Sequence, residues 1–461
     1  MALLRYTRPP QMSEDELQRL LVPLDRVETD LPAVLEEHGV GVVTGVVGLE
    51  ELAELEKCWC EDLRRAASPG ERRRFEEAGG NEARRFPLEL ANRWTHGAGF
   101  ALEKSLMHGD FSWSVRKHPN VHRAFAALFE DELRAAVEAR EGQRPHLVSS
   151  LDVPFFSPGD SLDSASVEYG SDGAANKGLE ENLISAHVDQ NPHDVREGLG
   201  TRQIYQGALY IWPATSPTAT ATVVWPGSHR ATDSGGAAPS EVLTDDLAAV
   251  MNGAYGSHYC SMGSMSNRDQ RRELVEGWKR YARIVPVPAG GLLLWNSRTV
   301  HSGWGGSDEG GGARLAQAVC LEPASRRPER ERVAKLRLCA LGLPSTHWAS
   351  VGMQHDMVLY GRGWLNSGGE KDSKEGAEHG ASAASADSDS PPGLPVCVDW
   401  EKAKQLGGVA HVGERLESLL FKGHGSPGFY LTGMWDHQKS EVDDIDTFLQ
   451  ELIKPEYQAC I

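Results

Sequence analysis

Apolar positions along this chain follow two periodicities, and the change from one to the other divides it. Across residues 29–65 the spacing reads helix, strand, helix: Pro32 stands in a first turn, Gly39 ends that helix, and residues 40–47 form the short apolar run of a buried strand. The charged stretch 71–77 reads as a solvated helical face, and Pro119 fits the first turn of a helix running to about Arg140. From Leu147 the runs shorten. Residues 147–153, 203–212, 218–225, 282–288, 291–301 and 314–321 read as strands, separated by turn chemistry at Pro213 to Pro217, Pro226-Gly227 and Pro288-Ala289-Gly290-Gly291. Helical patterns over 239–281, including 269–281, interrupt the series and read as an insertion covering a barrel mouth. A helix over about 328–340 follows the last core strand.

Many short strands with a helical insertion predict a mainly β chain with helical additions, built on a double-stranded β-helix (jelly-roll, cupin-like) core. No Gly-x-Gly-x-x-Gly placed between a strand pattern and a helix pattern, and no phosphate-loop motif, supports a nucleotide-binding sheet. In such a core alternate residues face the cavity. From Arg314 the inward set is then Arg314, Ala316, Ala318 and Cys320, and the outward set Leu315, Gln317, Val319 and Leu321. One cation followed by small side chains leaves room for a bound acid, which an arginine clamps with a planar fork.

Composition narrows the classes. With 461 residues, 40 % hydrophobic and 25 % charged, the chain has the make-up of a soluble globular protein with a sizeable core. A formal net charge of −19 opposes attraction to phosphate backbones, so no nucleic acid is expected as partner. No run approaches the roughly 18 apolar residues of a membrane span. The N-terminus lacks a signal-peptide apolar core, the C-terminus is not a Ser-Lys-Leu address, and Cys460 stands too near the end for a prenylation box. Seven scattered cysteines, only Cys58 and Cys60 close together, fit reduced thiols in a cytoplasmic protein.

Three stretches outside the strands stand out. Residues 157–180 are rich in Ser, Gly and Asp and read as a mobile loop. Residues 366–393 are low in complexity and predict a disordered linker between a domain spanning 1–365 and a C-terminal extension, 394–461, of no assignable function. That extension is expected to pack back on the core.

The candidate chemistry lies in His187-Val188-Asp189. Residues two apart on a strand share a face, so an imidazole and a carboxylate project together. A distant His301 completes a 2-His-1-carboxylate triad, the set that leaves coordination positions open on non-haem Fe(II). His108-Gly109-Asp110 carries the same spacing but lies between a helical pattern and Phe111-Ser112-Trp113, outside the series of strand-like runs that follows Asp189. His229, which also ends a strand, is the rival third ligand. His301 is preferred because only it precedes a strand opening with Arg314.

The motifs His187-Val188-Asp189-Gln190, Gln206-Gly207, Pro226-Gly227-Ser228-His229, Asn296 to His301, Arg314-Leu315 and Ser345-Thr346-His347-Trp348 together resemble the phytanoyl-CoA dioxygenase superfamily, and most its uncharacterised microbial and algal members. The resemblance runs from about Gly39 to Trp348. It implies an Fe(II)- and 2-oxoglutarate-dependent dioxygenase that hydroxylates a small organic or lipid-like substrate, with ascorbate as reductant. His187, Asp189 and His301 carry over as iron ligands, and Arg314 with Gln206 as the cosubstrate-binding residues. The acyl-CoA substrate does not carry over, since substrate choice lies in loops. Two alternatives stand beside it: a related non-haem iron oxygenase with other radical chemistry, such as halogenation, and a non-catalytic jelly-roll binding protein. Asp189 argues against the first, because halide binding normally needs the carboxylate absent. The complete ligand set argues against the second.

Overall fold

The computed structural model describes residues 9–95, 101, 104–139, 146–158, 186–190, 202–216, 219–230, 260–261, 277–304, 312–345, 347–350, 395–406 and 447–461. Most of the loop at 157–180, most of the insertion at 239–281 and the linker at 366–393 lie outside them. Two sheets carry the centre of the molecule. The first contains, in spatial order, Leu21–Pro23 (β1), Val40–Thr44 (β2), Leu292–Asn296 (β10), Tyr205–Tyr210 (β6), Arg314–Val319 (β12) and Pro154–Ser157 (β4). The second contains Cys260–Ser261 (β8), His187–Val188 (β5), His301–Trp304 (β11), Ala221–Val224 (β7) and Arg283–Ile284 (β9). A third pair joins Leu321–Pro323 (β13) to Leu147–Ser149 (β3). Among these strands only β1 and β2 pair in parallel; the other ladders are antiparallel. From β4 to β7, and again from β9 to β12, consecutive strands alternate between the first two sheets.

The first sheet is buried on both faces. Leu209, Leu292, Leu294, Leu315 and Val319 pack beneath helices, in one cluster with Leu31 and Leu35 of the helix Val27–His38, Leu55, Trp59 and Leu63 of Leu49–Ala66, and Phe125 of Pro119–Leu128. Their alternates Ala208, Tyr210, Leu293, Trp295 and Ala316 join a second cluster with Val188, Val224 and Ile284 of the other sheet. This double burial explains continuous apolar runs such as Leu292-Leu293-Leu294. Gly207 lies opposite Leu294, where a Cβ would meet the Leu294 Cδ2 at 2.8 Å and the Leu293 carbonyl at 2.9 Å, so the strands approach only because the side chain is missing.

Several expectations need correction. Helices cover more of the described chain than strands, so a mixed architecture replaces the mainly β one; the extra helices roof the first sheet. The expected helix over 119–140 breaks at Phe129, whose backbone (φ −126°, ψ 23°) leaves the helix while its ring stays buried, giving Pro119–Leu128 and Glu130–Ala139. The strand over 291–301 ends at Asn296, and His301 opens β11 in the other sheet. Leu315 and Val319 of the outward set of β12 pack beneath the helices. Cys320 leaves the cavity face to pack with Val148, Ile204 and Trp348. At the other end, Leu336 and Cys339 of the helix Glu329–Leu341 share a cluster with Val398, Ala403, Leu449, Leu452 and Ile461, so the described C-terminal residues pack against the core. No helix among the described residues is long and apolar enough to cross a membrane.

Candidate metal centre

Strands β5 and β11 pair so that His187 and His301 are register partners, with ring centroids 4.3 Å apart. Asp189 arrives differently from the expected strand geometry. The strand stops at Val188, and Asp189 lies in the bend after it, where its N–H donates to the Ser297 carbonyl at 3.0 Å and the Gln190 N–H to the same oxygen at 3.1 Å. One turn, 297–300, therefore fixes both Asp189 and the entry into His301. The Asp189 carboxylate lies 3.6 Å from His187 Nε2 (Oδ1) and 3.2 Å from His301 Nε2 (Oδ2), and the three ligand atoms fit within 4.8 Å of one another. Asp189 and His301 are buried, while the His187 side chain is 20 % exposed.

His301 Nδ1 is 2.9 Å from the Thr299 carbonyl. A carbonyl only accepts, so Nδ1 carries a proton, and Nε2 is the nitrogen turned toward the carboxylate. Burial alone would raise the Asp189 carboxyl, but His347, His187 and His301 around it outweigh that and hold it far below the usual carboxylate range. Three imidazoles thus converge on one carboxylate. The third, His347, has Nε2 3.9 Å from Asp189 Oδ1 and was not among the expected site residues. Its segment is anchored by Glu322, which accepts the N–H groups of Ala349 (3.0 Å) and Ser350 (2.8 Å), and by buried Lys335, whose Nζ donates to the carbonyls of Ser149 (3.1 Å) and Trp348 (3.3 Å). The only sequence signal for it is a histidine next to Trp348, in a motif without strand periodicity.

Arg314 is 1 % exposed and faces the space between the sheets, as the alternation of β12 predicts. Its Nη2 donates to the Tyr210 hydroxyl at 3.1 Å and to Thr222 Oγ1 at 3.3 Å, and its guanidinium stacks 4.0 Å from the Phe155 ring centroid. Nε and Nη1 are buried without a hydrogen-bond partner, and no carboxylate pairs with it among the described residues. Thr222 stands two residues along β7 from Val224, the register partner of His301. At about 3.3 Å per residue, that places the guanidinium's contact roughly 7 Å along the strand from the triad. Gln206 lies on the same face of β6 as Tyr210, and its Nε2 donates to Ser297 Oγ at 3.2 Å, in the turn that holds Asp189.

His229 stands apart from this group. Its Nε2 bonds the Glu36 carbonyl at 2.9 Å, while Gly227 N–H donates to the His38 carbonyl at 2.8 Å, so the Pro226-Gly227-Ser228-His229 turn caps the C-terminus of the helix Val27–His38. Gly39, at φ 68°, is required there: a Cβ would sit 2.2 Å from His229 Nδ1. His108, in the other His-x-Asp motif, is fully buried with its Nε2 on the Leu343 carbonyl. Two further arginines, Arg202 and Arg298, are engaged elsewhere, Arg202 with Ser350 Oγ at 3.5 Å.

No family model and no curated protein matches this chain. Among solved structures it is similar to the epimerase SnoN in complex with Fe3+, alpha ketoglutarate and nogalamycin RO (15 % identity, TM-score 0.31, 65 % of this chain and 82 % of that one). It is also similar to EctD from S. alaskensis with 2-oxoglutarate and 5-hydroxyectoine (11 %, 0.34, 65 % and 78 %). A hypothetical protein, JW0805, from Escherichia coli matches at 10 % identity and TM-score 0.37 over 70 % of this chain and 77 % of that one. Likenesses at such identities and scores carry no argument about the activity of this chain, which rests on the geometry of its own site.

Proposed function

We propose that this chain is an Fe(II)- and 2-oxoglutarate-dependent dioxygenase that hydroxylates a small organic or lipid-like substrate. One observation carries the reading: a buried arginine with unpartnered nitrogens shares the inter-sheet space with two imidazoles and a carboxylate within 4.8 Å. The donor set fits iron, since His301 has its protein-facing nitrogen protonated and Asp189 is ionised. Arg314 fits the cosubstrate, since a buried guanidinium costs several kcal/mol unless an anion reaches it. The alternation of strands between two sheets supports a jelly-roll core, and the His-x-Asp, His301 and Arg314 motifs support membership of the phytanoyl-CoA dioxygenase superfamily.

His187, Asp189 and His301 would hold the metal, and Arg314 the distal carboxylate of 2-oxoglutarate. Bound iron would supply the dioxygen activation that couples decarboxylation of 2-oxoglutarate, giving succinate and carbon dioxide, to oxidation of a C–H bond. The chain supplies placement. Thr299 orients His301, Ser297 fixes Asp189, Tyr210 and Thr222 aim the guanidinium, and Phe155 covers its face against water. Asp189 fills the position that a halide would need, which favours hydroxylation over halogenation.

The test is succinate formation under air with iron, 2-oxoglutarate and ascorbate, with a panel of small molecules and acyl thioesters. The expected result is slow basal turnover that rises with a subset of the panel and disappears in His301→Ala. Equal turnover in His301→Ala would exclude the assignment.

A further inference from the structure

A second cluster of ligand-type side chains lies away from the triad. His108 ends a 3-10 turn, Leu106–His108; Cys339 lies in the last turn of Glu329–Leu341; Cys397 precedes the helix Trp400–Gln405. Their ligand atoms fit within 4.8 Å of one another, and both cysteines are free. Each of the three residues is 0 % exposed. We propose that His108, Cys339 and Cys397 form a structural site for a thiophilic d10 cation, zinc(II) or copper(I), that fastens the C-terminal part of the chain to the core.

The histidine points to a ligand independently of the thiols. His108 Nε2 faces the Leu343 carbonyl at 2.8 Å, so Nε2 carries the proton and Nδ1 is left as a bare lone pair. That lone pair is buried without a hydrogen-bond partner, and a cation would supply one. Imidazole and thiolate together select zinc and copper(I) over harder ions. Charge agrees as well. Two thiolates and a neutral imidazole neutralise zinc(II), a balance that a dry interior requires. With copper(I) one negative charge remains, and Arg116 answers it: fully buried nearby, it donates from Nη1 to the Met107 carbonyl at 2.7 Å and forms no ion pair among the described residues. Zinc normally takes four ligands in structural sites, and three appear among the described residues, which suits copper(I).

The site would join three parts of the chain far apart in sequence. Val396 N–H donates to the His108 carbonyl at 3.1 Å and Lys454 N–H to the Cys397 carbonyl at 2.9 Å, so the cysteine is stitched to both sides of this junction. A metal there would bind the folded arrangement and not the unfolded chain, adding stability by mass action.

The experiment uses the full chain in a His187→Ala background, so that the iron reading can fail without affecting the outcome. Elemental analysis of protein purified under reducing conditions should find about one equivalent of zinc or copper per chain, which of the two being read directly. Adding Cys397→Ser should remove it. Because that variant could fail to fold, the His187→Ala protein is also stripped with a strong chelator and reloaded with zinc(II) or with copper(I) under reductant. Stripping should lower the melting temperature by several degrees and reloading should restore it. Absence of both metals, no thermal response to reloading, or a Cys339–Cys397 disulfide in non-reducing peptide maps would overturn the proposal.

Discussion

A single carbonyl decides what His301 can do. By accepting a hydrogen bond from Nδ1–H, the Thr299 carbonyl turns Nε2 to the side where Asp189 and His187 lie. Arg314 is the complementary case, a cation with two buried nitrogens unsatisfied. Arg314→Ala should raise the 2-oxoglutarate concentration needed for half-maximal turnover roughly a hundredfold, taking a charge-assisted contact as about 3 kcal/mol. Lysine should recover only part, lacking the planar fork. Iron affinity should stay the same in both, and an unchanged 2-oxoglutarate requirement would move the role elsewhere. His229 makes a pH prediction. Burial lowers its pKa to about 4, so the unfolded chain binds the proton more readily between pH 6.5 and 4. Stability should therefore fall as pH drops through that window, by about 3 kcal/mol from this ring. Denaturant unfolding of the iron-free protein across the window should show a shallower fall in His229→Gln; the same fall in both would assign it to other groups.

At the level of elements, the turn 297–300 does most to place the site. Ser297 accepts the N–H groups of Asp189 and Gln190 on its carbonyl and the Gln206 amide on Oγ, and the Val300 N–H donates to Ser228 Oγ at 2.8 Å. Ser228 also donates to the Trp225 carbonyl at 2.7 Å. Ser228→Ala strands a buried N–H beside His301, which should cost about 1–3 kcal/mol in urea unfolding and weaken iron binding. Unchanged stability would mean the turn is held by its backbone alone. This turn also marks where sequence reading stops. His187, Asp189, His301 and Arg314 are legible because each belongs to a strand-like run or a two-residue spacing. The reading of 291–301 as one strand passes over the polar Ser297-Arg298-Thr299, which turn the chain between two sheets, because the apolar Val300 makes the run look resumed. Nor can the period show His347, whose position depends on Glu322 and Lys335, neither adjacent in sequence. The helical roof has the opposite character: helix Leu49–Ala66 is legible from Leu52, Leu55, Trp59 and Leu63, but not which sheet face it covers.

For the molecule as a whole, one sheet lies between helices and a second sheet, and the triad and Arg314 share the space between the two sheets. The segment 366–392 should have no part in that space. It holds six acidic residues (Glu370, Asp372, Glu375, Glu378, Asp387, Asp389) against Lys371 and Lys374, with no aromatic or large aliphatic side chain to pack. Deleting it should leave the melting temperature and basal 2-oxoglutarate turnover near those of the intact chain, whereas loss of turnover would identify it as part of the site.

Anaerobic titration of Fe(II) into the purified chain, continued with 2-oxoglutarate, decides whether the triad and Arg314 form one working site. The expected result is one iron per chain bound through His187, Asp189 and His301, and a charge-transfer absorption that appears only when 2-oxoglutarate is added. Iron should be lost in His301→Ala and held with unchanged affinity in His229→Ala. Iron binding that survives His301→Ala, or no spectral response to 2-oxoglutarate, would contradict the assignment.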